Sequence, residues 1–192
     1  MADPILLHTC CAPCSVAVIN ELRQTAAVTV LYYNPNIHPE KEYLKRKAEV
    51  TRMCNLWGIP MVDLDYEPQA WEQVCGTLPP QREGNSRCSA CFRLRLARTA
   101  EYAIANGFTT YATSLTMGRR KNSEVINAIG KSVALVHGLE FLGTDWKKGG
   151  RYEKGTALVA EHQIYKQDYC GCRISRAERD ERLAKGQTKA TS

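Results

Sequence analysis

The cysteines of this chain fall into groups whose spacing suits metal or redox chemistry. Seven of the nine lie in three short motifs, which are Cys10-Cys11-Ala12-Pro13-Cys14, Cys88-Ser89-Ala90-Cys91 and Cys170-Gly171-Cys172. Short spacing lets one turn present two sulfur atoms, and several such turns together can hold an iron–sulfur cluster or a tetrahedral zinc ion. Zinc usually takes four ligands, so seven candidates favour a cluster with a further function beside it.

The remaining side chains that could do chemistry carry less information. Cys54 and Cys75 lie among apolar residues of predicted helices, and we interpret both as core. None of the four histidines is expected to be a metal ligand. The fragment Gly130-Lys131-Ser132 resembles the end of a phosphate-binding loop, but it lies inside a predicted helix and the first glycine of that motif would fall at Val125. The sequence therefore argues against nucleotide hydrolysis.

The cysteine content and the absence of long apolar segments indicate the cellular compartment of the protein. Nine cysteines is an odd number, so they cannot all pair with one another, and grouped reduced cysteines are more often ligands or redox groups than structural bridges. The chain has neither the basic start and apolar run of a signal peptide nor the roughly 20 apolar residues that span a bilayer. We therefore expect a cytoplasmic protein without a membrane partner.

The net charge of +6 is concentrated in clusters that could neutralise the phosphates of a nucleic acid. These clusters are Arg87, Arg93, Arg95 and Arg98; residues 119–121; residues 147–151; and Arg173, Arg176 and Arg179. Solvated helix faces explain the same clusters equally well. Charge supports a nucleic-acid partner without establishing one.

Short β-branched runs alternate with longer helical stretches along the chain. The runs predict strands at Pro4–His8 and at residues 28–33, 60–65 and 109–114, with a weaker strand at 140–142. Helices are predicted at residues 39–57, 89–106 and 122–137, each followed by a glycine. This alternation predicts one α/β domain over residues 1–184, with a parallel sheet covered by helices on both faces, and a disordered tail at residues 185–192.

The predicted elements place the first two motifs where an open α/β sheet binds its ligands, outside the carboxyl ends of the strands. Cys10 closely follows the first strand, and Cys14 opens the next helix. Cys88 and Cys91 lie at the start of a later helix, where unpaired N–H groups favour thiolates and an anionic cluster. The motifs therefore lie where this architecture places a functional site.

Four segments, in this order, resemble the QueH-type epoxyqueuosine reductases. They are residues 6–15 (LLHTCCAPCS), 33–39 (YNPNIHP), 87–91 (RCSAC) and 167–172 (QDYCGC), so the resemblance covers nearly the whole chain. It implies a Rossmann-like fold related to the adenine-nucleotide hydrolase-like superfamily. It also implies an oxidoreductase that reduces epoxyqueuosine to queuosine in the tRNA anticodon, the last step of queuosine biosynthesis, without cobalamin. Such a reduction takes two electrons and two protons, and the epoxide oxygen leaves as water.

The resemblance also implies roles for the cysteines. Four of them match the ligands of a [4Fe–4S] cluster, namely Cys10, Cys11, Cys88 and Cys91. Cys170 and Cys172 match a pair that is either a redox-active dithiol or a set of ligands for a second iron beside the cluster. Cys14 stands where some relatives carry aspartate, which makes it a candidate additional ligand.

Side chains near these motifs are candidate contacts to the tRNA. Those expected to reach the modified nucleoside are Asn34, Asn36, Tyr165 and Gln167, and those expected to reach a phosphate are Lys121 and Lys148. Each of them is also explained as a turn-stabilising or solvated residue. An electron donor, which the sequence does not identify, is required as a second partner.

Three other functions share part of this pattern. A zinc-stabilised RNA-binding module would use the same cysteines and the same charge. A tRNA thiolase of the ATP-pyrophosphatase type shares the fold class, but it needs a Ser-Gly-Gly phosphate loop where this chain has residues 9–13. A thiol–disulfide oxidoreductase would use the cysteines without iron.

Overall fold

The computed structural model describes residues 3–79 and 83–190, and a five-stranded parallel sheet lies at its centre. The strands are β1 (Pro4–His8), β2 (Ala27–Tyr32), β3 (Met61–Asp63), β4 (Thr110–Thr113) and β5 (Glu140–Leu142), in the order β3-β2-β1-β4-β5. Every neighbouring pair is parallel. β1 is the central strand, and its Leu7 lies between Val30 of β2 and Ala112 of β4.

Helices connect these strands. They are α1 (Ala12–Leu22), α2 (Glu40–Trp57), α3 (Pro68–Trp71), α4 (Ser86–Ala105), α5 (Ser123–His137), α6 (Arg151–Glu161) and α7 (Arg173–Ala190). A π-helical turn at Glu72–Gly76 follows α3, and a 3₁₀ turn at Leu115–Met117 follows β4. Among the helices in the described ranges, none combines the length and the apolar character needed to cross a membrane.

The side-chain alternation of β1 builds a separate core on each face of the sheet. Leu7 packs in one buried cluster with Val16 of α1 and Met53 of α2. Leu6 points the other way and packs with Leu96 of α4 and Ile126 of α5. Because both faces are buried, β1 is apolar along most of its length, as strands of a parallel sheet are. The predicted α/β architecture, with helices on both faces, is confirmed.

Several boundaries differ from those predicted. α4 begins three residues earlier, because the amide of Ser89 already bonds to the carbonyl of Asn85 at 3.1 Å, whereas the apolar helical pattern starts only at Cys88. β3 is shorter than residues 60–65, since an edge strand has one neighbour and pairs only with Val30–Tyr32 of β2. The fragment that resembles a phosphate-binding loop does lie inside a helix, α5.

The carboxyl-terminal helix α7 was not predicted, because its sequence is polar on most faces and lacks an apolar stripe of helical period. Its backbone extends through Ala190, and residues 191–192 lie outside the described ranges, as do residues 1–2 and 80–82. The single domain over residues 1–184 and the disordered tail at residues 185–192 therefore stay predictions.

Candidate metal centre

The first cysteine motif leaves the sheet at the carboxyl end of its central strand. The amide of Thr9 still bonds to the carbonyl of Leu31 at 2.9 Å, and α1 begins at Ala12. Between them, Cys10 and Cys11 turn out of the sheet, and Cys14 follows in the first turn of α1. The sulfur atoms of these three cysteines all lie within 4.8 Å of one another, and those of Cys10 and Cys11 are 3.7 Å apart. The motif is therefore a three-thiol group.

The three thiols differ in how readily they ionise. Hydrogen bonds from Cys11 and then Cys14 lower the pKa of Cys10 well below its ordinary value. The hydrogen bond to Cys10 raises the pKa of Cys11 to about 12, and the same partner raises that of Cys14. The thiolate is the form of cysteine that binds a metal, so the lowered pKa of Cys10 favours binding of a metal cation. Its donors are sulfur alone, which is the donor set of an iron–sulfur cofactor.

The second motif lies at the start of α4, and both of its cysteines are buried. The amide of Gly84 donates to the Sγ of Cys88 at 3.3 Å. Cys91 packs with Trp71, Cys75 and Cys172 in a small buried cluster. A hydrogen bond from Cys75 is the main cause that lowers the pKa of Cys91 to about 6. Cys75 is buried, as predicted for a core residue, but its position beside two predicted site cysteines was not foreseen.

Within the described ranges, the group that meets ligand distances consists of Cys10, Cys11 and Cys14. Cys88 and Cys91 lie outside that group, so their sharing of one cluster with Cys10 and Cys11 stays a prediction. One buried arginine is near both motifs: Arg95 of α4 lies one turn after Cys91 and lines the same cavity as Cys10. The spacing of Cys88, Cys91 and Arg95 by three and four residues is the sequence signal that places all three on one helix face.

The third motif precedes α7, and its two cysteines have different surroundings. The Sγ of Cys170 accepts a hydrogen bond from Lys121 Nζ at 2.8 Å. Burial raises the pKa of Cys170 to about 11, although the ammonium group of Lys121 acts in the opposite direction. The Sγ of Cys172 lies 3.4 Å from the amide of Ser175 and packs against Cys75 and Cys91.

Arg46 of α2 holds the Cys170 loop in place. Its Nη1 donates to the carbonyl of Cys170 at 2.9 Å, its Nη2 to that of Tyr169 at 3.2 Å, and its Nε to Glu42 at 2.7 Å. The carbonyl of Gly171 accepts from the amide of His38 at 2.9 Å, which joins the loop to the segment after β2. The sequence offered no signal for Arg46, because its neighbours on α2 are other charged residues.

A cavity of about 710 Å³ opens between these elements. Cysteines of two motifs line it, namely Cys10, Cys11, Cys14 and Cys170, together with Arg95, Lys121 and Glu83. Exposed basic side chains stand at its edge, which are Arg119, Arg120 and Lys166. Its size lies within the range of small-molecule sites, about 300–1,000 Å³. The thiols therefore face a space that can admit a nucleoside under a positive rim.

Comparison with known proteins gives this geometry its context. The family described as epoxyqueuosine reductase QueH matches residues 5–178. The chain belongs to this family. It is 38% identical to epoxyqueuosine reductase QueH of Acinetobacter baylyi over 173 residues, covering 89% of this chain and 79% of that protein. It is 35% identical to the enzyme of the same name from Thermotoga maritima, covering 94% of each.

Membership of the QueH family confirms the resemblance and the enzyme class, an oxidoreductase of tRNA modification. A solved structure, the U34-tRNA thiolase NcsA from Methanococcus maripaludis with its [4Fe–4S] cluster, superposes with a TM-score of 0.55. The match covers 97% of this chain and 66% of that chain at 12% identity. At this identity the similarity concerns the fold alone.

Two of the six predicted substrate contacts line the cavity. Lys121 does so beside Cys170, and Gln167 does so while its Nε2 donates to the Sγ of Cys11 at 2.8 Å. Asn34 and Asn36 are both only 1% exposed, and Asn34 bonds to the carbonyl of Thr9 at 2.9 Å. Neither asparagine is among the residues that line the cavity, and Asn34 instead holds the turn before Cys10.

The other two predicted contacts lie away from the lining. Tyr165 donates to the carboxylate of Glu42 at 3.2 Å. The side chain of Lys148 is 82% exposed and approaches Asp145 at 4.0 Å. Contact of all six residues with tRNA stays a prediction. In the basic cluster of α4, Arg87 and Arg95 are 1% exposed, so these two cannot contact the phosphates of a polyanion at the surface.

Proposed function

We propose that this chain reduces epoxyqueuosine to queuosine in tRNA at a [4Fe–4S] cluster, as the last step of queuosine biosynthesis. The observation that carries the proposal is the three-thiol group of Cys10, Cys11 and Cys14, which opens into the cavity at the carboxyl end of β1. Family membership supplies the substrate, and the cluster of the structurally similar thiolase supports the cofactor. When bound, such a cluster supplies electrons one at a time.

We propose Cys10, Cys11, Cys88 and Cys91 as the ligands of the cluster. The start of α4 supports the second pair, because helix N–H groups stabilise negative charge there. Cys14 is then a further ligand, either to the cluster or to a second iron beside it. The position of Cys14 next to Cys10 and Cys11 supports both roles equally.

We propose that the epoxide reacts beside Cys170 and Lys121, which line one wall of the cavity. As the C–O bond breaks, negative charge develops on oxygen, and the ammonium group of Lys121 is a hydrogen-bond donor fixed at the cavity wall. Glu83 holds that ammonium group through a 2.6 Å contact. Because Cys170 lines the cavity and Cys172 does not, we assign the contact with substrate, or with a second iron, to Cys170.

The tRNA reaches this wall through its single-stranded anticodon loop. The modified base must leave the stack to enter a cavity of this size, as bases do in other enzymes that act on them. Arg119, Arg120 and Lys166 at the rim then contact the flanking phosphates. The two electrons come from an external donor.

Anaerobically purified protein tests the proposal by metal analysis, absorption spectra and an assay on tRNA that contains epoxyqueuosine. We expect iron, a brown colour and conversion to queuosine, whereas a colourless zinc protein without turnover would overturn the proposal. Cys170→Ser separates the two roles of the third motif. Iron retained with turnover lost indicates a dithiol with Cys172, and loss of iron indicates ligation.

A further inference from the structure

Arg95 is a fully buried cation at the meeting point of the cysteine motifs. Its side chain lies on α4 and is 1% exposed, and its Nη2 donates to the Oδ1 of Asn34. Asn34 in turn donates to the carbonyl of Thr9, the residue before Cys10. The guanidinium group is thus anchored, through one side chain, to the turn that carries the first motif.

The negative groups that face Arg95 are sulfur atoms. Cys10 and Cys170 line the same cavity as Arg95, and Cys91 lies one turn before it on α4, so each motif has a thiol near the guanidinium group. Burial alone would lower the pKa of Arg95, and these thiols raise it above its ordinary value. Arg46, the other buried arginine of the cavity, differs because a carboxylate pairs with it, Glu42 at 2.7 Å.

A cation buried in this way is unfavourable unless negative charge faces it. In the described residues, the ion pairs between side chains include no carboxylate partner for Arg95, and its Nε has no hydrogen-bond partner there. An anionic cluster held on the surrounding thiols would match this charge.

We propose that Arg95 is a positioning residue that compensates the negative charge of the iron–sulfur centre and raises its reduction potential. The inference rests on the proposed function, because it requires a cluster between the first two motifs. An added electron makes the centre more negative, and a fixed positive charge nearby favours that state. Asn34 contributes by fixing the guanidinium group toward the cysteines.

The test is a spectroelectrochemical titration of the holoenzyme and its variants. In Arg95→Gln we expect the midpoint potential to fall, so that at a fixed applied potential the ratio of reduced to oxidised cluster drops by about tenfold or more. Arg95→Lys keeps the charge and should recover most of the difference. Arg98→Gln, which removes an exposed arginine of the same helix, should leave the potential unchanged.

The outcomes separate this inference from the proposed function. Wild-type protein without iron overturns both, whereas iron in the wild type with equal potentials in Arg95→Gln overturns the inference alone. An equal fall in Arg95→Lys and Arg95→Gln also overturns it, since charge would then not be the cause. If circular dichroism shows that Arg95→Gln is unfolded, Asn34→Ala is used instead; it should lower the potential by a smaller amount, and an unchanged value contradicts the inference.

Discussion

Lys121 donates a hydrogen bond from Nζ to the Sγ of Cys170 at 2.8 Å, across 49 residues of sequence. Burial would lower the pKa of Lys121, but Cys170 and then Glu83 raise it above its ordinary value, so the side chain stays an ammonium group. The contact joins the segment after β4 to the loop before α7. It places a fixed positive charge beside the cysteine that faces the cavity.

We expect Lys121→Gln to reduce turnover by about 10- to 100-fold. This factor corresponds to the free energy that a buried charge-assisted hydrogen bond contributes. Iron content should be unchanged, because the lysine is no ligand. The measurement is the rate of queuosine formation in tRNA, with iron determined on the same sample. Lys41→Gln is the matched control, since that lysine is exposed on α2 and outside the cavity lining. Equal rates for wild type and Lys121→Gln would contradict this role.

Loss of a cluster ligand should lower the iron bound per chain. We expect Cys10→Ser and Cys91→Ser to purify with much less iron, because a hydroxyl group is a poor substitute for a thiolate ligand. Cys54→Ala is the control, since Cys54 is buried in the core and burial raises its pKa to about 11. Colorimetric analysis measures the iron bound per chain. A Cys91→Ser variant with as much iron as the wild type would exclude Cys91 as a required ligand.

Gly171→Ala should displace the Cys170 loop. The φ angle of Gly171 is +136°, and a Cβ there would lie 3.0 Å from both the Nδ2 of Asn36 and the Cγ1 of Ile37. We expect a loss of about 1–3 kcal/mol in the free energy of unfolding, together with reduced turnover. In Gly107→Ala the φ angle of +74° is also unfavourable, but no atom lies within 4 Å. That control should lose stability and keep its turnover, and retained turnover in Gly171→Ala would contradict the prediction.

The ion pair between Glu21 of α1 and Arg151 of α6 predicts a pH dependence of stability. Arg151 Nε lies 2.7 Å from the carboxylate and lowers the pKa of Glu21 by hydrogen bonding. Because the folded-state pKa is the lower one, this stabilisation is present above the unfolded pKa of about 4.3 and is lost as pH falls through the folded value.

The contribution should be small, about 0.5 kcal/mol, because Glu21 is 42% exposed and solvent screens the pair. Urea unfolding at pH 7 and at pH 3.5 measures this contribution. The free energy of unfolding should differ less between the two pH values in Glu21→Gln than in the wild type. Glu153→Gln, which changes an exposed acid of α6, should leave the difference as in the wild type. A difference that Glu21→Gln does not alter would refute the assignment.

The rim arginines should control the salt dependence of tRNA binding. Arg119→Gln combined with Arg120→Gln removes two exposed charges beside the cavity, so the slope of log affinity against log salt should become shallower by about 1–2. Arg23→Gln is the control, because that arginine packs over Trp57 and is not part of the cavity lining. An unchanged slope in the double variant would remove these residues from the interface.

Much of the fold could be predicted because its signals are local. The apolar run of β1 and the alternation of strands with helices indicate a parallel sheet, and Cys10 and Cys11 follow that strand in sequence as they do in space. The polar helix α7 carries no such signal, because its sequence lacks the apolar stripe that would mark a buried face. This helix could not be inferred from the periodicity of apolar residues alone.

The sequence by itself determined the sheet, the grouping of the cysteines and, through its motifs, the family. Only the tertiary structure decided which neighbours each group has: Cys75 lies against Cys91, Arg46 holds the Cys170 loop, and Arg95 faces thiols of three motifs. Residue type and spacing describe contacts within one element. Burial and charge pairing depend on how separate elements pack, so Arg95 and the exposed Arg93 look alike in sequence and differ completely in the folded chain.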